Sequence, residues 1–264
     1  LHIEAHSFPT RRSSDLYTYG QYQTNVIKIE RPPVLLSFAW KWLGEKETHC
    51  LTLHDRATVQ QGDDSLLVKE LWNLIDECEI FVAHNVRFDQ KMANAFFLRH
   101  NLPPGRFYKT FCTLQTARRY FKLDNNKLDY LGQLLGVGQK TAITNHDVWY
   151  DCLIHNDEKA WKKLALYNIR DVDLLEKIYK KLLPFATNHP NGALSAGRED
   201  ICPRCMHQSE FSIKAYRRTG AQVNAIQVQC RNCHGYVTRP LTKEEREELD
   251  YHGRLKSFYR NIAN

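Results

Sequence analysis

No apolar run in this 264-residue chain approaches the roughly 20 residues needed for a membrane-crossing helix, and none is therefore expected. A secretory signal pattern is also missing. The cysteines do not form a disulfide framework: Cys50, Cys78, Cys112 and Cys152 are scattered, and only the other four of the eight fall in tight pairs. That usage fits reduced thiols and a cytoplasmic protein rather than a secreted one. Acidic residues are outnumbered, 30 against 37 Lys and Arg, and the formal net charge of +7 suits an anionic partner such as nucleic acid without requiring one. With 42% hydrophobic and 25% charged residues, the chain reads as globular and long enough for one substantial domain plus a smaller unit.

Strand and helix patterns alternate through the first two thirds of the chain. Val34 to Trp42 is rich in strand formers, Gly44 to Glu47 reads as a turn, and Thr48 to Leu53 completes a hairpin. Core packing is the expected role of its tryptophans. Ser65 to Cys78 carries Leu66, Leu67, Leu71, Leu74 and Ile75 at helical spacing. Ile80 to Ala83 is a short buried strand, and Phe88 to Arg99 is the next helix, with Asp89 in its first turn. An acid there could do no more than favour the helix N-terminus, worth roughly 0.3–1 kcal/mol. Helices are also expected over Leu114 to Phe121, from Asn125 onward, and over Trp161 to Leu183. In the last of these, Tyr167 and Asp171 stand four apart and share a face, whereas Asp173 points elsewhere as a solvated or surface-paired acid.

Two segments, Asn85-Val86-Arg87-Phe88-Asp89 and Tyr167-Asn168-Ile169-Arg170-Asp171, occur in this order about eighty residues apart. Asn-x2-Phe-Asp followed by Tyr-x3-Asp resembles the second and third motifs of 3'-5' exonucleases of the ribonuclease H-like superfamily. The match is to the four-acid type with tyrosine in the third motif, as in the exonucleases of phage and prokaryotic DNA polymerases. The resemblance runs from Tyr17 to Leu183. It implies an α/β fold, a mixed sheet flanked by helices, and hydrolysis of terminal phosphodiesters of DNA, or RNA, with two Mg2+ or Mn2+ ions. Asp89 and Asp171 would be metal ligands, and Tyr167 would orient the attacking water. Asn85, Phe88, Arg118 and Lys127 fall where the family meets its substrate, although Phe88 by itself reads as a packing residue. Cys112 stands where relatives often carry an aspartate. Lys122 and Lys140 are further candidates for phosphate contact. The implied partners are a single strand or 3' end and, for this family, a DNA polymerase or replication complex.

What the chain lacks is a clear first motif. The family's opening strand carries Asp-x-Glu, but Leu1 to Ala5 offers only Glu4, with His2 in the aspartate's place. His6 to Leu16 then reads as the translation of a common short-read sequencing adapter and is set aside from fold reasoning. Residues 1–16 are therefore treated as foreign or doubtful, and the 3'-5' exonuclease domain as 17–186. Glu4 is retained as the remaining candidate ligand of the first motif. With that motif incomplete, the chain as it stands is expected to hold catalytic metal poorly. Two readings stay open, an exonuclease and a nucleic-acid-binding or replication-associated module that does not cut.

Residues 187–200, with their Pro, Asn and Gly, read as a linker. Beyond them, Cys202-Pro203-Arg204-Cys205 and Cys230-Arg231-Asn232-Cys233 are separated by 24 residues. Four soft thiolates at this spacing suit one structural Zn2+ in a zinc ribbon over 201–240. His207 and His234 are then bystanders, and redox chemistry suits one pair but not both. Arg204, Lys214, Arg217, Arg218, Arg231 and Arg239, interleaved with Tyr216 and Tyr236, make the unit basic and suit either nucleic-acid contact or a purely structural role. Residues 241–264 read as a charged helix or tail.

Overall fold

The computed structural model describes residues 2–4, 34–53, 63–106, 108–140, 147–195, 197–198, 201–208, 210–219 and 222–249. The adapter-like segment, Tyr17 and the chain beyond 249 lie outside them. Strands β1 (His2–Glu4), β4 (Ile80–Ala83) and β5 (Lys109–Cys112) form a parallel sheet in the order β1-β4-β5. Every residue of β4 is buried, as a central parallel strand covered on both faces must be. Strands β2 (Ser37–Trp40) and β3 (His49–Thr52) make the expected antiparallel hairpin, with Phe38 opposite Leu51.

One expectation needs correction. Among the described residues the strands form no single mixed sheet: the hairpin is a separate two-stranded sheet. Side chains hold it instead to the long helix α6 (Glu158–Leu182). Lys41 pairs with Glu176 at 2.9 Å and Asp173 at 3.4 Å, while Thr48 Oγ1 donates to Asp173. Asn168 Nδ2 donates to Ser37 Oγ at 2.6 Å. Asp173 is thus surface-paired, one of its two expected states.

Helices α1 (Ser65–Glu77) and α2 (Val86–Arg99) pack against the hairpin and α6 in the largest core cluster, which includes Leu67, Leu71, Phe96, Trp161 and Leu164. The first turn of α2 begins at Val86, two residues earlier than the sequence pattern suggests. Asn85 adopts a left-handed backbone (φ 77°) that turns the chain directly from β4 into the helix, a conformation asparagine tolerates better than most residues. Helices α3 (Thr113–Tyr120) and α4 (Leu128–Leu134) follow β5 and pack on α6 through Ala117, Leu131, Leu175 and Ile178. A short helix α5 (Asp147–Tyr150) and a π-helical turn (Asp151–His155) precede α6, whose N-cap Asp157 accepts from the backbone of Lys159 and Ala160.

A buried acid ties the first layer together. Asp64 accepts from the backbone N–H of Leu35 at 2.7 Å, from His100 Nε2 at 2.7 Å and from Arg99. Replacing Asp64 with alanine strands the Leu35 amide and unpairs Arg99, and should cost about 3 kcal/mol, the lower end for breaking a buried ion pair because Arg99 is partly solvated. Urea denaturation checks this; a loss below about 1 kcal/mol would show that solvent replaces the network.

The C-terminal unit is an antiparallel sheet of β6 (Phe211–Thr219), β7 (Gln222–Cys230) and β8 (Tyr236–Pro240), with a helix over 243–249. Ile226, Val228, Val237, Leu241 and Leu249 form its small core. The stretch read as a linker is firmly attached in its described part. It contains helix α7 (Gly192–Ser195), and His189 packs on Phe111 and Tyr179. Burial holds the His189 pKa down to about 4, so the ring is neutral, with Nδ1 donating to Pro190 O and Nε2 accepting from Tyr179.

Candidate functional site

Two buried carboxylates define the first site. The strict 3-4 spacing of Trp161, Leu164, Asn168, Asp171, Leu175, Ile178 and Leu182 puts all seven on the buried stripe of α6, and two of them are polar. Asn168 is accounted for by Ser37. Asp171 is 0% exposed; its Oδ2 accepts from Lys140 Nζ at 2.6 Å, and its Oδ1 has no hydrogen-bond partner. Asp89, 3% exposed in the first turn of α2, likewise leaves Oδ2 buried and unpartnered. Such orphaned oxygens are costly in a folded protein, and a cation would satisfy them.

The charge of Lys140 acts on both acids. Burial pushes the Asp89 carboxyl up to about 8, opposed by its own backbone N–H and the charge of Lys140. Burial also raises Asp171, and Lys140 again works against it. For Lys140, burial disfavours the charge, but Asp171 and Tyr167 together hold its pKa above the ordinary lysine value. Its Nζ reaches the Tyr167 hydroxyl at 3.3 Å, and its backbone N–H donates to Asp129 at 2.7 Å. Burial, followed by the charge of Asp171, raises the Tyr167 phenol. His84, at the end of β4, is driven down to about 4 chiefly by burial, with Lys140 and Arg118 among the cations that also lower it. It pairs with Thr113 Oγ1 at 2.9 Å.

Lys140 thus stands against Asp171 and Tyr167, its charge acts on Asp89 and His84 as well, and the field of exposed Arg118 reaches His84. Lys140 was singled out in sequence only as one of several lysines for phosphate; its place against Asp171 depends on a return of the chain that no local pattern encodes. Asn85 and Phe88 are exposed, Phe88 by 48%, which corrects its reading as a packing residue. Exposed Lys127 begins α4, its amide held by Asn125 Oδ1 at 2.9 Å. Cys112 acts as the N-cap of α3, its Sγ accepting from Gln115 N at 3.4 Å, a capping role an aspartate also fills. Glu4 ends β1 in register with Val82 of the adjacent β4; its side chain lies outside the described residues.

The second site is the cysteine cluster. Two knuckles share one backbone pattern: Met206 N donates to Cys202 O and His234 N to Cys230 O, both at 2.9 Å, while Cys202 N and Cys230 N donate at 3.0 Å to His207 O and Gly235 O. Met206 and His234 both have a φ of 58°. The four Sγ atoms lie within 4.8 Å of one another, with Cys202–Cys233 at 3.8 Å and Cys205–Cys230 at 3.9 Å. A disulfide needs about 2.0 Å, whereas a tetrahedron with metal–sulfur bonds of about 2.3 Å has edges near 3.8 Å. The cluster could therefore hold a metal ion, and among the described residues it is the one set of three or more such donors.

This cluster sits against the first domain. Cys205 and Cys233 pack on Ile80, Val82, Phe111, Tyr179 and Leu183. Arg204, 7% exposed, donates to Leu183 O at 3.4 Å, to Pro184 O at 3.3 Å and to Tyr236 O, so one side chain caps the carbonyls ending α6 and holds the second knuckle's strand. A Cβ on Gly235 would lie 2.9 Å from Arg204 Nη1, so a glycine fits there.

No protein-family model and no curated protein matches the chain. Among solved structures, it is similar to exonuclease X in complex with 5' overhanging duplex DNA, with a TM-score of 0.30 and 13% identity over 65% of this chain and 99% of that one. At that depth of likeness the functional reading rests on the residues themselves. No helix among the described residues is long and apolar enough to cross a membrane.

Proposed function

We propose that the buried carboxylates Asp89 and Asp171 belong to a metal-dependent 3'-5' exonuclease of ribonuclease H-like fold that removes terminal nucleotides from single-stranded DNA or RNA. The observation that carries this is the pair Asp89 and Asp171, each buried with one carboxylate oxygen unpartnered. Asp89, Asp171 and Glu4 would hold Mg2+ or Mn2+. Bound there, such ions would supply an acidified water and neutralise charge at the phosphate. Tyr167 would position the water; burial raises its phenol, so it is not the base. Exposed Asn85 and Phe88 would seat the terminal nucleotide, with Arg118 and Lys127 meeting phosphates. The four cysteines would hold one structural Zn2+.

One observation favours a second reading. Lys140 places an ammonium 2.6 Å from Asp171 Oδ2, where it already neutralises that carboxylate. With His2 in place of an acid, such a site suits a module that binds nucleic acid without cutting it.

Incubating a 5'-labelled single strand with the protein and magnesium decides between them. The exonuclease reading expects shortening from the 3' end, absent when magnesium is omitted, and expects His2→Asp, which completes Asp-x-Glu in β1, to raise the rate. Cleavage only at internal sites, or equal rates without magnesium, would defeat it. Binding with no hydrolysis in either protein favours the second reading.

A further inference from the structure

Between Phe211 and Pro240 the sequence contains no Asp or Glu, but it carries Lys214, Arg217, Arg218, Arg231 and Arg239. The strand register divides this charge between two faces. Cross-strand pairs Ile213–Val228, Tyr216–Ile226 and Ile226–Arg239 belong to the face bearing the small core, and the helix over 243–249 joins that side through Leu249. Arg239 is committed there to a two-pronged bond with Glu245, at 2.8 and 2.7 Å. Arg231 is paired with Glu210 at 2.7 Å.

The opposite face is different. Pairs Ser212–Gln229, Ala215–Gln227, Gln227–Thr238 and Gln229–Tyr236 put hydroxyls, amides and an aromatic ring side by side. Arg217 lies with them, its guanidinium donating to Gln227 Oε1 at 2.9 Å. Tyr236 is 44% exposed, and Arg217 and Thr238 are exposed as well. Neither Arg217 nor Lys214 has a carboxylate partner among the described residues. The sequence interleaves Tyr216 and Tyr236 with the basic residues, but the fold sends the two rings to opposite faces.

We propose that this open face of β6-β7-β8 is a binding surface for single-stranded nucleic acid, separate from Asp89 and Asp171. Arg217, a guanidinium on this face with no carboxylate partner among the described residues, suits a phosphate, and the exposed Tyr236 ring suits stacking of an unpaired base, which a duplex would keep buried. Amides such as Gln227 and Gln229 both donate and accept, and so can meet any base edge. The placement of Arg217 and Tyr236 and the strand register carry this inference without any assumption that Asp89 and Asp171 serve hydrolysis.

The test is fluorescence anisotropy on the full chain in magnesium-free buffer, with DNA and RNA strands of about twelve nucleotides in separate arms. Tyr236→Leu should weaken binding roughly tenfold, the scale of one lost stacking contact. Arg217→Gln should weaken it and reduce the slope of log affinity against log salt by about 0.7, one phosphate contact on a single strand. Tyr216→Leu, an equally exposed ring but on the opposite face of the sheet, should leave affinity unchanged. Metal content and melting temperature, measured on all three, separate lost contacts from lost folding. A photoreactive strand should label Tyr236 or its neighbours on β7. Unchanged affinity in both Tyr236→Leu and Arg217→Gln, or labels confined to residues 2–195, overturns the proposal and leaves the face to a protein partner. An equal loss from Tyr216→Leu overturns the face assignment.

Discussion

Asp171→Asn should reduce magnesium-dependent release of 3' nucleotides by on the order of a thousandfold, with the fold retained. Asparagine keeps the shape of a side chain that is fully buried, and its carbonyl can still accept from Lys140. What it loses is the charge needed to balance a divalent cation. Asp171→Ala should be equally inactive and less stable, because it removes the acceptor nearest the largely buried Lys140 ammonium. Comparing the two therefore separates chemistry from folding. The protein used for this should carry a complete first acidic motif, so that the starting rate is measurable. A rate for Asp171→Asn within tenfold of its parent would mean that Asp171 is not a ligand and that its unpartnered oxygen has another explanation. Calorimetric titration with manganese gives a second readout: heat of binding should fall away in both variants.

Cys230→Ser should eliminate the bound zinc, about one equivalent per chain in the parent, and unfold most of the C-terminal sheet. Its core is only a handful of residues around Ile226 and Val228. Metal binding of the order of 10 kcal/mol in such a small unit is therefore largely its folding free energy. The junction extends the expected damage. Arg204 sits between two of the cysteines and caps the end of α6, while Cys205 and Cys233 pack against Ile80 and Phe111. Hydrogen exchange should thus accelerate across β6 to β8 and also around Tyr179 to Ala186, whereas α1 and α2 stay protected. Full zinc occupancy in Cys230→Ser would rule out the ligand set. Loss of zinc without faster exchange near Tyr179 would show that the two units are packed but not coupled.

The sequence by itself determined the local elements. Apolar periodicity placed the hairpin, α1, β4 and α6, because burying one face of a helix or strand leaves its period in the chain. The cysteine pairs announced their cluster because four ligands on two tight turns need a fixed spacing. Asp89 and Asp171 were legible through their motifs, and Asp171 has the further mark of a charge on an otherwise mostly apolar stripe. Only the tertiary structure decided how distant segments meet. Lys140 contacts Asp171 because the chain returns to α6 after α4, and an isolated lysine carries no sign of that. The hairpin forms its own sheet because Lys41, Thr48 and Ser37 bond to α6 side chains more than a hundred residues away. Tyr216 and Tyr236 look equivalent in the sequence, but they part because a bulge between Ile213 and Ala215 shifts the alternation of β6 by one residue. Arg204 reads as a surface cation, yet it is buried: three backbone carbonyls converge on it, and such acceptors come together only when the ends of remote elements do.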